Sequence, residues 1–197
     1  MRARFARLGI GSVAVLLGAV GPAFGNGMLG IFFDQYGQTC ASAMRPGSIT
    51  QMFVVFLPDG DTRSGITGAE FLIEAQDADG YLVLATQPLM LTSLGDPFDG
   101  GTNVVNGECL ADLAIPVLSV QIQSTSGGEN AKFVVKARNP PVSPEFPCAL
   151  VTLCDGPPIY TAVCVETGKA VINPTGGTEC GSNSESAEWG RIKELYR

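Results

Sequence analysis

The 197 residues carry 19 acidic and 12 basic side chains and no histidine, which gives a net charge of −7. An acidic surface repels phosphate backbones and anionic lipid headgroups, so nucleic acid and membrane surfaces are disfavoured as partners. Without histidine the chain cannot form a Ser-His-Asp or Cys-His catalytic site or a histidine-ligated metal centre.

Residues 1–25 have the pattern of a cleavable secretory signal. Three arginines among the first seven residues precede an apolar run at 8–20. That run is shorter than the roughly 20 residues that a membrane span needs, and the small residues Ala23 and Gly25 suit a signal peptidase. We therefore predict cleavage after Gly25, no stable membrane span afterwards, and a periplasmic, cell-surface or extracellular location. The mature chain keeps nine basic and 19 acidic residues, a net charge of −10.

The mature chain alternates between short apolar segments and turns rich in Gly, Pro and Asp, which is typical of an all-β fold. In the third segment Phe71 and Ile73 alternate with Glu70, Leu72 and Glu74, so the two sets should lie on opposite faces of a strand. The predicted strands are, in chain order, 28–33, 49–57, 66–75, 81–85, 110–122, 131–137, 149–153, 160–166 and 169–172.

Two stretches depart from this regular alternation. Pro116 cannot donate a ladder hydrogen bond, so its strand should lie at an edge or contain a bulge. Residues 87–108 hold two runs of Gly, Asp and Pro, which predicts a long surface loop ending near Cys109. Since no helical pattern separates the strands, a parallel α/β fold is excluded. We predict an antiparallel β-sandwich of about eight or nine strands over residues 26–173.

Six cysteines remain in the mature chain. No CxxC pair exists and histidine is absent, so neither common structural zinc pattern fits, and we expect up to three disulfides. Four cysteines lie within residues 148–180, which predicts two bridges there and a third between Cys40 and Cys109. The cysteines are Cys40, Cys109, Cys148, Cys154, Cys164 and Cys180.

The composition changes to Gly, Thr, Ser, Asn and Glu at residues 174–187, which predicts a polar linker. In the following segment, 188–197, Trp189, Ile192 and Tyr196 recur at the spacing of one helix face. A helix of this length is marginal alone. We expect it either to dock on a partner or to fold back onto the sandwich.

Carboxylates are one candidate for chemistry. A glycoside hydrolase needs two of them flanking the scissile bond, and the candidates are Asp34, Glu70, Glu74 and Asp112. Their separation depends on the fold and not on their spacing in the sequence. We therefore predict no catalytic residues, with a secreted hydrolase as the alternative.

A calcium site is the other chemical possibility. The twelve-residue stretch from Asp59 to Glu70, with Asp61 between them, matches an EF-hand loop at four positions but lacks a ligand at the fifth and glycine at the sixth. Asp77 and Asp79 form a shorter match. Because the flanking segments are predicted strands, we interpret both stretches as turns and expect no cofactor, with calcium at strand ends as the alternative.

Three stretches of the mature chain form a recognisable set: Gly30-Ile31-Phe32-Phe33-Asp34 with a cysteine shortly after it, the strand from Met52 to Leu57, and Gly65-Ile66-Thr67-Gly68-Ala69-Glu70-Phe71. Together they resemble exported bacterial β-sandwich domains of the cohesin-like or immunoglobulin-like kind, over residues 30–172. The resemblance implies the sandwich fold and assigns no functional residues. The end of the chain, from Trp189-Gly190-Arg191 to Tyr196-Arg197, is similar to a terminal segment of exported bacterial proteins and implies sorting or surface attachment.

These observations predict a secreted or periplasmic, non-enzymatic binding or surface module whose C-terminal helix serves docking or attachment. The expected ligand is a protein or a carbohydrate. The alternatives are the secreted hydrolase and a purely structural domain of a larger assembly.

Overall fold

The computed structural model describes residues 26–141, 146–154 and 161–176. Apart from a 3-10 helix at Gly60–Ser64, the regular structure in these residues consists of strands. The strands are β1 (Met28–Phe32), β2 (Ala41–Ser42), β3 (Ile49–Leu57), β4 (Ile66–Gln76), β5 (Tyr81–Pro88), β6 (Thr92–Asp96), β7 (Gly101–Leu110), β8 (Ile115–Ser124), β9 (Ala131–Lys136), β10 (Leu150–Leu153), β11 (Ala162–Cys164), β12 (Glu166–Thr167) and β13 (Lys169–Ile172).

The strands form two sheets. The five-stranded sheet has the order β12-β1-β3-β8-β5, and the eight-stranded sheet follows β11-β10-β4-β9-β13-β2, with β7 joined to β4 and β6 joined to β7. Two described pairs are parallel, β1 with β12 and β13 with β2, and both lie at sheet margins. The predicted all-β sandwich is confirmed, with thirteen described strands in place of eight or nine. Among the described residues, no helix is long and apolar enough to cross a membrane.

The main core lies between the two sheets. Strand β3 contributes Met52, Val54 and Phe56, and β4 contributes Phe71 and Ile73 from the opposite sheet, each at most 1% exposed. The predicted alternation along β4 is therefore confirmed. Full burial of side chains of this size stabilises the fold by about 1.5–3 kcal/mol each.

A second, smaller cluster lies on the other face of the five-stranded sheet. Phe53 and Val55 alternate with the core residues of β3 and pack with Phe32 and Cys40. Residues 33–40 form the loop that brings Cys40 to this cluster, and their turn is closed by a hydrogen bond between the ends of the loop. The loop thus covers the outward-facing apolar side chains of β1 and β3.

Two predictions about the middle of the chain have different outcomes. The bulge expected at Pro116 is confirmed, because the pairing of β3 with β8 shifts between Leu118 and Pro116. The long loop predicted at 87–108 is wrong, since most of these residues form the β6–β7 hairpin. Asp96 stabilises the hairpin turn by accepting a hydrogen bond of 2.8 Å from the Phe98 N–H.

Two disulfides tie the eight-stranded sheet together. Cys109 bonds Cys154, so the predicted Cys40–Cys109 pair is wrong. The reason is register: Ile66 of β4 lies opposite Leu110 on one side and opposite Leu153 on the other, which brings the neighbouring cysteines to one end of the sheet.

The second disulfide, Cys148–Cys164, is one bridge within the C-terminal region where two were predicted. Cys40 is also disulfide-bonded, while Cys180 lies outside the described residues. The predicted signal at 1–25, residues 177–187 of the predicted linker and the predicted helix at 188–197 lie outside them as well.

Candidate binding surface

The four carboxylates considered for hydrolysis do not converge. Asp34 lies in the loop after β1, Asp112 is exposed between β7 and β8, and Glu70 and Glu74 lie on the outer face of β4. Four residues along a strand span roughly 13 Å, whereas the paired carboxyl groups of glycosidases lie about 5–9.5 Å apart. The two glutamates are too far apart for that role.

Each of these two glutamates also has its own cation. A Glu70 carboxylate oxygen lies 3.8 Å from an Arg138 guanidinium nitrogen, and a Glu74 oxygen lies 3.5 Å from Lys136 Nζ. The Gln76 side chain, which donates to Glu74 at 2.8 Å, and the Lys136 ammonium together lower the pKa of Glu74. A general acid needs a raised pKa, so this environment does not suit acid catalysis.

Asp34 organises its own loop. Partial burial alone would raise its pKa, but the Gln38, Tyr36 and Thr39 backbone N–H groups and the Thr39 side chain outweigh it and lower the pKa. The N–H of Tyr36 donates to one carboxylate oxygen at 2.7 Å and that of Thr39 to the other at 2.5 Å. The carboxylate therefore fixes the turn.

The calcium candidates are dispersed in the fold. Asp59 caps the 3-10 helix and pairs with Arg63 at 2.8 Å, while Asp77 and Asp79 lie in the exposed β4–β5 turn. Within the described residues no three acidic or cysteine side chains are grouped so as to hold a metal ion. The side chain of Asp61 lies outside the described part of the structure.

The outer face of the eight-stranded sheet has a different character. Strand pairing places side chains in rows across it, such as Glu70–Asn103–Leu94 over β4, β7 and β6. Leu94 is 68% exposed and Val105, on the same face of β7, is 42% exposed. Large apolar side chains at this exposure cost hydration free energy, and clusters of them mark interaction sites.

Basic side chains lie on the same face of this sheet as these apolar residues. Lys136 lies opposite Leu72, and Lys169 lies opposite Val134, which itself lies opposite Glu74. Together with Lys132 and Arg138, this sheet face holds four of the six lysine and arginine side chains in the described part of the chain. We call this surface the leucine–lysine face; it comprises Leu72, Leu94, Val105, Lys132, Val134, Lys136 and Lys169.

The sequence did not reveal this face because its residues come from five strands. Lys132 and Lys136 could be assigned to one face of a predicted strand by their even spacing. Leu94 and Val105 lie within residues 87–108, for which the sequence predicts a loop. Only the register of β6 and β7 on β4 places them on the same sheet face as the lysines.

Comparison with known proteins concerns the fold as a whole. The sixth cohesin of scaffoldin B from Acetivibrio cellulolyticus, solved in complex with a Cel5 dockerin, has a TM-score of 0.50 and 13% identity, over 76% of this chain and 99% of that one. The seventh ScaB type I cohesin from Pseudobacteroides cellulosolvens also has a TM-score of 0.50, with 10% identity over 81% and 98%. The chain folds as a cohesin-like β-sandwich. No family model and no curated protein matches its sequence.

The cohesin-like sandwich predicted from three short motifs is thus confirmed at the level of the fold. One of these motifs has a visible structural reason. Gly65, between the 3-10 helix and β4, has a φ of 102°, and a Cβ there would lie 2.5 Å from the Leu110 carbonyl oxygen and 2.7 Å from Cys109 Sγ. The glycine permits the close approach of β7 beside the Cys109–Cys154 bridge.

Proposed function

We propose that this cohesin-like sandwich is an exported, non-enzymatic protein-binding module that receives its partner on the leucine–lysine face. The observation that carries the proposal is the combination, on one sheet face, of exposed Leu94 and Val105 with Lys132, Lys136 and Lys169. Apolar area supplies binding free energy, and the lysines supply orientation and rate of association.

The charge distribution indicates what kind of partner fits. The chain has an excess of acidic residues, while the basic side chains of the described part concentrate on this face. On this face Glu70 and Glu74 balance Arg138 and Lys136, so Lys132 and Lys169 carry the attraction for an acidic partner and favour a single orientation. We therefore propose a protein with an acidic surface around an apolar centre.

A protein is the better supported of the two ligand classes expected from the sequence. The similar cohesin from Acetivibrio cellulolyticus is in complex with a dockerin, which is itself a protein. The exposed leucine and valine side chains support the same class. We propose no enzymatic activity, because the candidate carboxylates are dispersed, and Glu70 and Glu74 are paired with cations.

The test is a capture experiment on the envelope and secreted fractions of the native host. Immobilised wild-type domain is compared with Leu94→Glu and with Lys132→Glu/Lys136→Glu/Lys169→Glu. Both variants should bind a captured protein at least tenfold more weakly, equivalent to about 1.4 kcal/mol. Their controls are Leu113→Glu and Arg45→Glu, which alter an exposed leucine and an exposed basic side chain away from this face. Equal loss with the controls, or no loss with the variants, contradicts the proposal.

Export is proposed from the N-terminal signal pattern and is supported by the two described disulfides, since such bonds persist in oxidising compartments. We expect the mature protein to begin at Asn26. Its intact mass should rise by about 6 Da on full reduction if all six cysteines are bridged. An uncut leader, or free thiols in protein purified without reductant, would contradict export to an oxidising compartment.

The segment 188–197 is proposed as a second docking or attachment element, carried by Trp189, Ile192 and Tyr196. The capture experiment includes a variant lacking residues 182–197. Lost retention at an unchanged melting temperature supports docking. A large fall in melting temperature contradicts it and indicates that the segment packs on the sandwich.

A further inference from the structure

In the described part of the chain, strand β5 forms one edge of the five-stranded sheet. Seven of its eight residues pair with β8 on one side, and no strand in the described part of the chain pairs with its other side. An edge of this kind presents backbone N–H and C=O groups that can pair with another chain. By comparison, β12, at the opposite edge of the same sheet, has two residues.

The β5 edge lacks the charged side chains that usually protect such strands. Residues 81–95 contain no Asp, Glu, Lys or Arg. The pairing with β8 shifts between Val83 and Ala85, so Leu84 is left in a bulge. As a result Leu82, Val83 and Leu84 are 53%, 41% and 45% exposed, three consecutive apolar side chains on one edge.

The uncharged zone continues from this edge across the sheet. Strand register aligns Leu82 with Gln123 and Ile49, and the next row aligns Ala85 with Gln121 and Gln51. All of these side chains are apolar or neutral amides. The zone is therefore three strands wide, on a protein that is strongly acidic in total.

We propose that β5 pairs with β5 of a second copy, antiparallel about a twofold axis, and joins the two five-stranded sheets into one. A twofold axis places identical residues near one another, so a charged residue beside it would face its own like charge. Strand β5 has none, whereas the edge strand β6 ends in Asp96. The β5 edge is where two acidic copies can meet without repulsion.

The size of the contact sets the expected affinity. Eight strand residues span roughly 27 Å, and an interface built on one edge falls at the small end of specific interfaces. Dimerisation should therefore be reversible, with a dissociation constant in the micromolar range. It does not involve the leucine–lysine face, which lies on the other sheet.

The test is sedimentation velocity of the mature protein over roughly a hundredfold range of concentration around that value, combined with hydrogen exchange. The wild type should pass from monomer to dimer, and amides within 81–88 should exchange more slowly as it does. Leu82→Lys and Leu84→Lys should each weaken dimerisation at least tenfold, because a lysine would face its own copy. Leu113→Lys, which changes a leucine in the β7–β8 loop that is 81% exposed, should dimerise as the wild type does.

Each other result overturns the proposal. A protein that remains monomeric throughout has no such contact. A dimer that tolerates both lysine substitutions, or whose β5 amides exchange at the monomer rate, uses another surface. Thermal unfolding of each variant as monomer separates a lost contact from a lost fold.

Discussion

Asp34 illustrates how one side chain can carry structural meaning that its residue type does not reveal. Its residue type makes Asp34 a candidate for hydrolysis. In the structure its carboxylate instead accepts hydrogen bonds from the backbone N–H groups of Tyr36, Gln38 and Thr39. These bonds hold the loop that carries Cys40 onto the outer cluster of the five-stranded sheet. The carboxylate therefore supports the fold.

We expect Asp34→Ala to lower the free energy of unfolding by about 1–2 kcal/mol at neutral pH, because three N–H groups lose a charged acceptor. The folded pKa of Asp34 lies below its ordinary value of 3.8, so its stabilisation is present above that value and is lost as the pH falls through the folded pKa. Chemical unfolding at several pH values tests this. Asp112→Ala, an exposed carboxylate, should have little effect. If the difference in the free energy of unfolding between wild type and Asp34→Ala does not become smaller in acid, the assignment is refuted.

For Glu70 and Glu74 the sequence predicts the strand face but not the ion-pair partner. The period-two pattern of β4 correctly placed them on the face opposite Phe71 and Ile73. It could not identify their partners, since Arg138 comes from a segment far along the chain. Partners across a sheet follow from register, which the local pattern does not contain.

Among the elements, β4 is the one on which the eight-stranded sheet depends. It pairs with β7 and β10 along its first half and with β9 along its second. The Cys109–Cys154 bridge closes one end of this arrangement across β4. The bridge was not predictable from cysteine spacing because the local sequence of β7 predicts a loop.

The two described disulfides should differ in their contribution to stability. Their sequence separations are 45 and 16 residues, for which chain entropy gives roughly 4 kcal/mol and roughly 3 kcal/mol. Cys109→Ser/Cys154→Ser should therefore unfold at lower denaturant concentration than Cys148→Ser/Cys164→Ser. Equilibrium unfolding of the two purified variants measures this. The reverse order would mean that native-state contacts, and not loop closure, set the stabilisation.

Strand prediction succeeded where apolar residues were dense and failed where glycine was frequent. Strand β3, with Met52 to Phe56 buried, was predicted with its observed limits, 49–57. The β6–β7 hairpin contains Gly95, Gly101 and Gly107, which weaken the local strand signal. Pairing of β7 with β4 supplies the strand-forming interactions that the local sequence lacks.

At the scale of the whole molecule, the described residues form two exposed surfaces that differ from the acidic remainder of the chain. The leucine–lysine face combines apolar and basic side chains on the eight-stranded sheet, and the β5 edge is uncharged on the other sheet. The first suits a partner of opposite charge, and the second suits a contact between equal charges. Both surfaces can be occupied together, so a dimer would present two leucine–lysine faces.

The most direct test of partner binding is site-specific photocrosslinking in cells of the native host, with a photoreactive amino acid in place of Val105. We expect one discrete crosslinked species at this position that disappears when excess wild-type domain competes. The same amino acid in place of Leu113, which is exposed outside the face, should give no such species. Absence of a crosslink at Val105, or an equal crosslink at both positions, would contradict protein binding at the leucine–lysine face.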